Sequence, residues 1–258
     1  MKTAVFFDLD DTLYDFGLVT HEELVVRLSR LLGEADQDRL EEALKAYEAV
    51  REQTWQEYMQ GQLTFEQVRV ARFHRVLNRM NLQRERELVQ AEADGFLTGW
   101  MHRIRPFAGV EPLLSSLAGE VTLGVITNGQ PQQTATKLSL LGLVQWFDAS
   151  LVLTSEGVGR AKPDRVIFDL ALERAGVDPG YALMVGDSPE ADIEGSLRAG
   201  WAGAVWLNRR RKPLVEEPAG PGQRLRVAAD FVATGGQVEE LITWLEGKRQ
   251  MVSKGKNR

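Results

Sequence analysis

Two aspartates stand two residues apart in Asp8-Leu9-Asp10-Asp11-Thr12, directly after the apolar run Ala4-Val5-Phe6-Phe7. On a strand, residues two apart share a face, so both carboxylates would be presented at its carboxyl end. Adjacent buried carboxylates repel, which invites a bound cation or a proton held on one of them. An Asp-rich turn closing a strand is the alternative. A second acidic run, Gly186-Asp187-Ser188-Pro189-Glu190-Ala191-Asp192, follows the apolar segment Ala182 to Val185. If the two strands are neighbours, Asp187 joins Asp8 and Asp10 in a set of hard oxygen ligands suited to Mg2+. Otherwise Asp187 and Asp192 are acids at a helix start, with Pro189 in its first turn. Thr127-Asn128-Gly129 ends another apolar run, and Pro131 opens a helix. A hydroxyl, a glycine and free backbone N–H groups at a helix start make an anion seat. Lys162-Pro163-Asp164 precedes a further helix in the same way, although a single lysine is ordinarily solvated surface.

Five short apolar runs read as buried strands that could position these groups: Ala4 to Leu9, Val121 to Ile126, Ser150 to Leu153, Ala182 to Val185 and Ala204 to Leu207. Helical stretches separate them at Val110 to Leu117, Gln132 to Leu141, Arg165 to Ala175, Glu190 to Ala199 and Gln237 to Glu246. Gly142, Gly176 and Gly200 fall where helices should stop. Alternating strand and helix is the pattern of an α/β fold, a doubly wound parallel sheet covered on both faces. Residues 15–104 interrupt it with charged, helix-forming sequence. Apolar stripes through Leu24, Leu28 and Leu32, Leu40 and Leu44, Val68 and Val76, and Leu88 and Phe96 predict four helices, an insertion docked over the sheet. Arg105-Pro106-Phe107-Ala108-Gly109 is its return hinge. The expected organisation is a discontinuous core, 1–14 with 105–247, a helical cap, 15–104, and a basic tail, 248–258.

A chain of 258 residues, 43% hydrophobic and 26% charged, can bury a full core and falls among soluble globular proteins. The absence of cysteine excludes disulfides, cysteine nucleophiles and thiolate metal sites. The opening apolar run stops at Asp8, too short for a signal peptide, and no stretch approaches membrane-spanning length. A cytoplasmic protein without a membrane partner is expected. Five of the 31 basic residues lie in the acid-free tail, leaving 26 against 37 acids and a body of net charge −11. That balance argues against a nucleic-acid partner, whose phosphates demand positive charge. The tail and Arg209 to Gly222, with its Pro and Gly residues, are expected to be solvated terminus and surface loop. His21, His74 and His102 are scattered without metal-pair spacing, and Gly157-Val158-Gly159 is an incomplete glycine motif. Trp55, Tyr58 and Phe65 could line a pocket but are more readily core aromatics.

The order and spacing of the four motifs resemble the haloacid dehalogenase superfamily. Asp8 to Thr12 is similar to its Asp-x-Asp-x-Thr motif, Thr127 to its second-strand Ser or Thr, Lys162-Pro163 to its lysine, and Gly186 to Asp192 to its acidic run. The resemblance runs from Met1 to about Leu245 and implies a Rossmann-like core, with an all-helical cap inserted after the first motif as in the first subclass. It also implies roles. Asp8 would attack phosphorus, and Asp10 would protonate the leaving oxygen and then deprotonate the hydrolytic water. Mg2+ would sit between the Asp8 carboxylate, the Asp10 backbone carbonyl and Asp187, with Asp192 as ligand or close support. Thr127, Asn128 and Lys162 would hold phosphoryl oxygens. The dehalogenases of the superfamily lack the second acid, so Asp10 points to phosphatase or phosphomutase chemistry.

Phe7 to Phe16, Gly142-Leu143-Val144-Gln145-Trp146-Phe147-Asp148 and Leu183 to Ser188 are similar to the branch that holds bacterial pyrimidine 5′-nucleotidases and sugar-phosphate phosphatases. A small phosphorylated metabolite, such as a nucleoside monophosphate, is the implied substrate. A phosphomutase of the β-phosphoglucomutase type shares the first-step residues. A non-catalytic interaction protein would have no use for Asp8, Asp10, Lys162 and Asp187 together.

Overall fold

The computed structural model of the chain describes residues 3–33, 37–209, 223–228, 236–244 and 246. The basic tail and nearly all of the expected loop from Arg209 to Gly222 lie outside them. The chain forms two compact units, Met1–Asp15 with Arg105–Arg258, and Phe16–Ile104. The second starts one residue later than the sequence suggests.

Among its described residues unit 2 holds four α-helices, α1 (Phe16–Leu32), α2 (Gln37–Met59), α3 (Phe65–Arg79) and α4 (Arg86–Gly99). α3 begins with a capping box: the Thr64 hydroxyl accepts from the Gln67 N–H, and the Gln67 side chain accepts from the Thr64 N–H. The stripes meet in a core that includes Leu28, Leu31, Tyr47, Phe73 and Val76. Trp55, Tyr58 and Phe65 are not part of that core. They form a half-buried aromatic chain of their own, with centroids 5.3 and 6.0 Å apart.

Unit 1 is built on a six-stranded sheet, β1 (Ala4–Phe7), β2 (Thr122–Thr127), β3 (Val152–Thr154), β4 (Ala182–Gly186), β5 (Gly203–Leu207) and β6 (Arg224–Ala228), in the order β3-β2-β1-β4-β5-β6. Every pairing is parallel. Parallel strands buried on both faces need continuous apolar sequence, and β1, β4 and β5 are buried throughout. β6 is the strand the sequence reading lacks. As an edge strand, Arg-Leu-Arg-Val-Ala alternates basic and apolar residues and has no apolar run to betray it.

The α-helices among the described residues of this unit are α5 (Val110–Leu117), α6 (Pro131–Leu140), α7 (Ser155–Val158), α8 (Arg165–Ala175), α9 (Gly195–Arg198) and α10 (236–244). Glu190 to Ala199, expected as one helix, is a π-helical turn, Pro189–Glu194, running into α9. Behind the sheet, Trp201 packs against Phe6 and Phe168 with centroids 5.3 and 5.6 Å away. Among the described residues no helix is long and apolar enough to cross a membrane.

The chain runs outward from β1 through β2 to β3, then crosses to β4 on the other side. That reversal opens a crevice at the carboxyl ends of β1 and β4, where ligands of open α/β sheets bind.

Candidate active site

Register brings the motifs together. Phe7 pairs with Val125 on one side and Val185 on the other. Asp8, one residue on, donates its backbone N–H to the Val185 carbonyl at 2.9 Å, so the first carboxylate is anchored between β1 and β4. The chain then turns sharply, with Asp11 in the left-handed region at φ 59°, a conformation that aspartate tolerates better than most residues.

Lys162 reaches this point from the loop before α8. Only 5% exposed, its ammonium donates to Asp8 Oδ1 at 2.6 Å, Asp192 Oδ1 at 2.6 Å and the Ile126 carbonyl at 2.7 Å. An ammonium has three protons, and all three are used. Lys162 thus orients the Asp8 carboxylate, a contact that the sequence reading, which gives it the phosphoryl oxygens, does not name. Burial would depress an isolated lysine, but Asp192 and Asp8 overcome that and hold its pKa above the ordinary value.

The amide of Asn128, expected among the phosphate ligands, is also a brace. Its Nδ2 donates to the Lys162 carbonyl at 3.0 Å, and its Oδ1 accepts from the Lys162 N–H at 2.8 Å. The loop after β2 and the loop before α8 are thereby joined at the lysine itself. Thr127 is buried at the end of β2, and α6 starts four residues later with Pro131 in its first turn.

Asp192, 1% exposed, uses its Oδ2 to accept the Ser188 N–H at 3.0 Å. Ser188 caps the π-helical turn by accepting the Ala191 N–H at 3.2 Å. Such turns recur at functional sites because the extra residue redirects a side chain. Gly186 is required beside it, since a methyl group there would overlap the Asp192 carboxylate. Asp187 is half-buried, and its backbone carbonyl accepts from the Trp206 indole at 3.1 Å.

Carboxylate oxygens of Asp8, Asp187 and Asp192 all lie within 4.8 Å of one another. Burial, with added repulsion from Asp192 and Asp187, pushes the Asp8 carboxyl up to about 8 against the opposing pull of Lys162. Three converging carboxylates are the donor set of a hard divalent cation, whose charge would hold Asp8 ionised. The residues present therefore fit Mg2+. The Asp10 carboxylate, expected beside them, is not in that group and has partners of its own. Lys137, absent from the sequence reading, donates to both its oxygens at 2.7 Å, and the Tyr14 hydroxyl donates to Oδ1 at 2.5 Å. Burial, reinforced by Asp10, holds the Tyr14 phenol well above its usual pKa, so it remains a donor. Four carboxyl groups thus meet only two ammoniums here, too little positive charge to receive a phosphate dianion unaided.

Residues 2–200 match the family model of the haloacid dehalogenase-like hydrolases. The chain belongs to that family. Pyrimidine 5′-nucleotidase YjjG of Escherichia coli K12 is 35% identical over 217 residues, 84% of this chain and 89% of the relative. Glyceraldehyde 3-phosphate phosphatase of Methanothermobacter thermautotrophicus is 32% identical over 214 residues, 81% and 86% of the two chains. In fold, the chain is similar to the magnesium-bound crystal structure of the HAD-hydrolase YfnB of Bacillus subtilis, with a TM-score of 0.71, 22% identity, and coverage of 94% of this chain and 99% of the other. With nucleotidase and phosphatase relatives across most of its length, this is a phosphatase-type hydrolase.

Proposed function

We propose that the protein is a Mg2+-dependent phosphomonoesterase that works through an aspartyl phosphate on Asp8 and accepts a small phosphorylated metabolite, a nucleoside monophosphate first among them. The observation that carries the reading is the single ammonium of Lys162 held between Asp8 and Asp192 while Asp187 faces the same point. A cation held by these three carboxylates supplies charge neutralisation for a phosphate dianion, the main requirement of phosphoryl transfer.

The chain's own residues then divide the work. Asp8, fixed by the Val185 carbonyl and Lys162, attacks phosphorus as the bond to the leaving oxygen breaks. Asp10 gives that oxygen its proton. In the second half Asp10 takes a proton from water, which attacks phosphorus, breaks the acyl phosphate bond and restores Asp8. Thr127 and the N–H groups at the start of α6 supply donors for the phosphoryl oxygens. The nucleotide preference rests on the likeness to the pyrimidine 5′-nucleotidase, and the phosphatase relative keeps sugar phosphates in the same class.

The test is a panel of phosphomonoesters with the full chain and Mg2+, read as inorganic phosphate. Release from nucleoside 5′-monophosphates, abolished by EDTA and restored by Mg2+, is the expected result. Full turnover in metal-free buffer would overturn the metal assignment. Transfer to a second sugar hydroxyl in place of phosphate release would make the protein a phosphomutase.

A further inference from the structure

Lys137 belongs to none of the four motifs, yet it makes the most constraining contact that Asp10 has. It lies on α6 beside buried Thr134 and Leu138, is itself 5% exposed, and projects its ammonium 2.7 Å from each oxygen of a carboxylate 127 residues away in sequence. Its Nζ is also 5.9 Å from the centroid of the Tyr14 ring, whose hydroxyl donates to the same carboxylate. One donor leaves a carboxylate free to rotate about χ2. Two contacts to one ammonium, with a third donor from another direction, set the plane of the group.

Stability is a poor reason for this arrangement. Removing an ammonium from water is costly, and buried ion pairs seldom repay that cost over apolar side chains of similar volume. The Asp10 side chain keeps 29% of its surface, so water could solvate it without the lysine. What water cannot do is hold one orientation. A general acid–base must lie within hydrogen-bond reach of the proton it moves, and a misplacement of about 1 Å can cost on the order of 10²-fold in rate.

We propose that Lys137 is the positioning residue of the acid–base aspartate: it fixes the Asp10 carboxylate toward the leaving oxygen and, in the second half-reaction, toward water. The inference rests on the role given to Asp10 above. Lys137 acts through Asp10 and does not itself bind the phosphoryl group.

The test compares wild type, Lys137→Met, Lys137→Gln and Lys137→Arg as full chains with Mg2+. On an alkyl phosphate, Lys137→Met should lower kcat by about 10²-fold and leave KM within about two-fold. The burst of nitrophenol from p-nitrophenyl phosphate, whose leaving group departs without a proton, should be reduced much less. Lys137→Arg should recover most of the loss, and Lys137→Gln substitutes for Met if the latter is poorly folded. In an Asp10→Asn background Lys137→Met should cost nothing further, since the two residues act as one unit. A raised KM with unchanged kcat, or the same loss with Asp10 already replaced, would overturn the proposal and make Lys137 a substrate ligand. Wild-type inactivity on every phosphomonoester would sink the phosphatase reading instead. The positioning role then stands or falls on the crystal structure of Lys137→Met, where the Asp10 carboxylate should leave its wild-type orientation and an unchanged orientation would refute it.

Discussion

Asp8 and Asp10 are two residues apart in sequence and live in different electrostatic surroundings. Asp8 shares Lys162 with Asp192 and faces Asp187, while Asp10 is taken by Lys137 and Tyr14. In the proposed mechanism one carboxylate is set beside the cation and the other is kept for proton traffic. Removing only the proton function separates the two. In Asp10→Asn an alkyl phosphate should react about 10²–10⁴-fold more slowly, because its alkoxide must depart unprotonated. With p-nitrophenyl phosphate the first step should survive in part while hydrolysis, still without a base, stalls. Phosphate would accumulate on Asp8, seen as a nitrophenol burst and a phosphorylated protein in mass spectra. Equal loss on both substrates with no trapped phosphoenzyme would contradict the acid–base role.

The elements bring these residues together through close approaches that leave little room. Gly186 ends β4 directly against the Asp192 carboxylate, so Gly186→Ala must push aside one of the three converging carboxylates. Stability should fall by about 1–3 kcal/mol, as for other overpacked interiors. Mg2+ affinity measured by calorimetry should fall at least about ten-fold, and an unchanged affinity would show that Asp192 does not matter to binding. How much of this was legible beforehand varies by element. β1, β2, β4 and β5 announce themselves as apolar runs, and the acids at the ends of β1 and β4 are visible with them. β6 has alternating basic residues and no run. Lys137 hides for another reason: lysines are so often solvated that one inside the buried stripe of Thr134 and Leu138 reads as surface, although a charge in such a stripe is itself a signal. The bonds of the Asn128 amide to Lys162 leave no mark in the sequence, because the partner is the backbone of a residue 34 positions away.

For the whole molecule, the site is a source of pH-dependent stability. The Asp8 carboxyl is raised from the ordinary 3.8 to about 8, so the folded metal-free protein holds this proton more tightly than the unfolded chain does. Its contribution is complete below about pH 4 and is lost as pH rises through about 8. Cation binding needs the ionised form, so the gain in Tm caused by Mg2+ should grow between pH 5 and pH 9. Thermal scans in EDTA and in Mg2+ across that range check this, with Asp8→Asn expected to flatten the trend. A gain independent of pH in wild type would contradict it. The hinge has a consequence of another kind. Tyr14 and Pro106 form an antiparallel bridge, and the Phe107 N–H donates to the Leu13 carbonyl at 3.0 Å. To unit 1, the chain that leaves after Asp15 and returns at Arg105 has the ends of a hairpin. Loop-closure entropy grows only as the logarithm of length, so the size of the excursion adds little to the cost of joining β1 to β2. The sheet can therefore assemble around a pinned crossing whose far side is free to differ in length and sequence, which makes this bridge the natural seam for grafting another domain onto the same core.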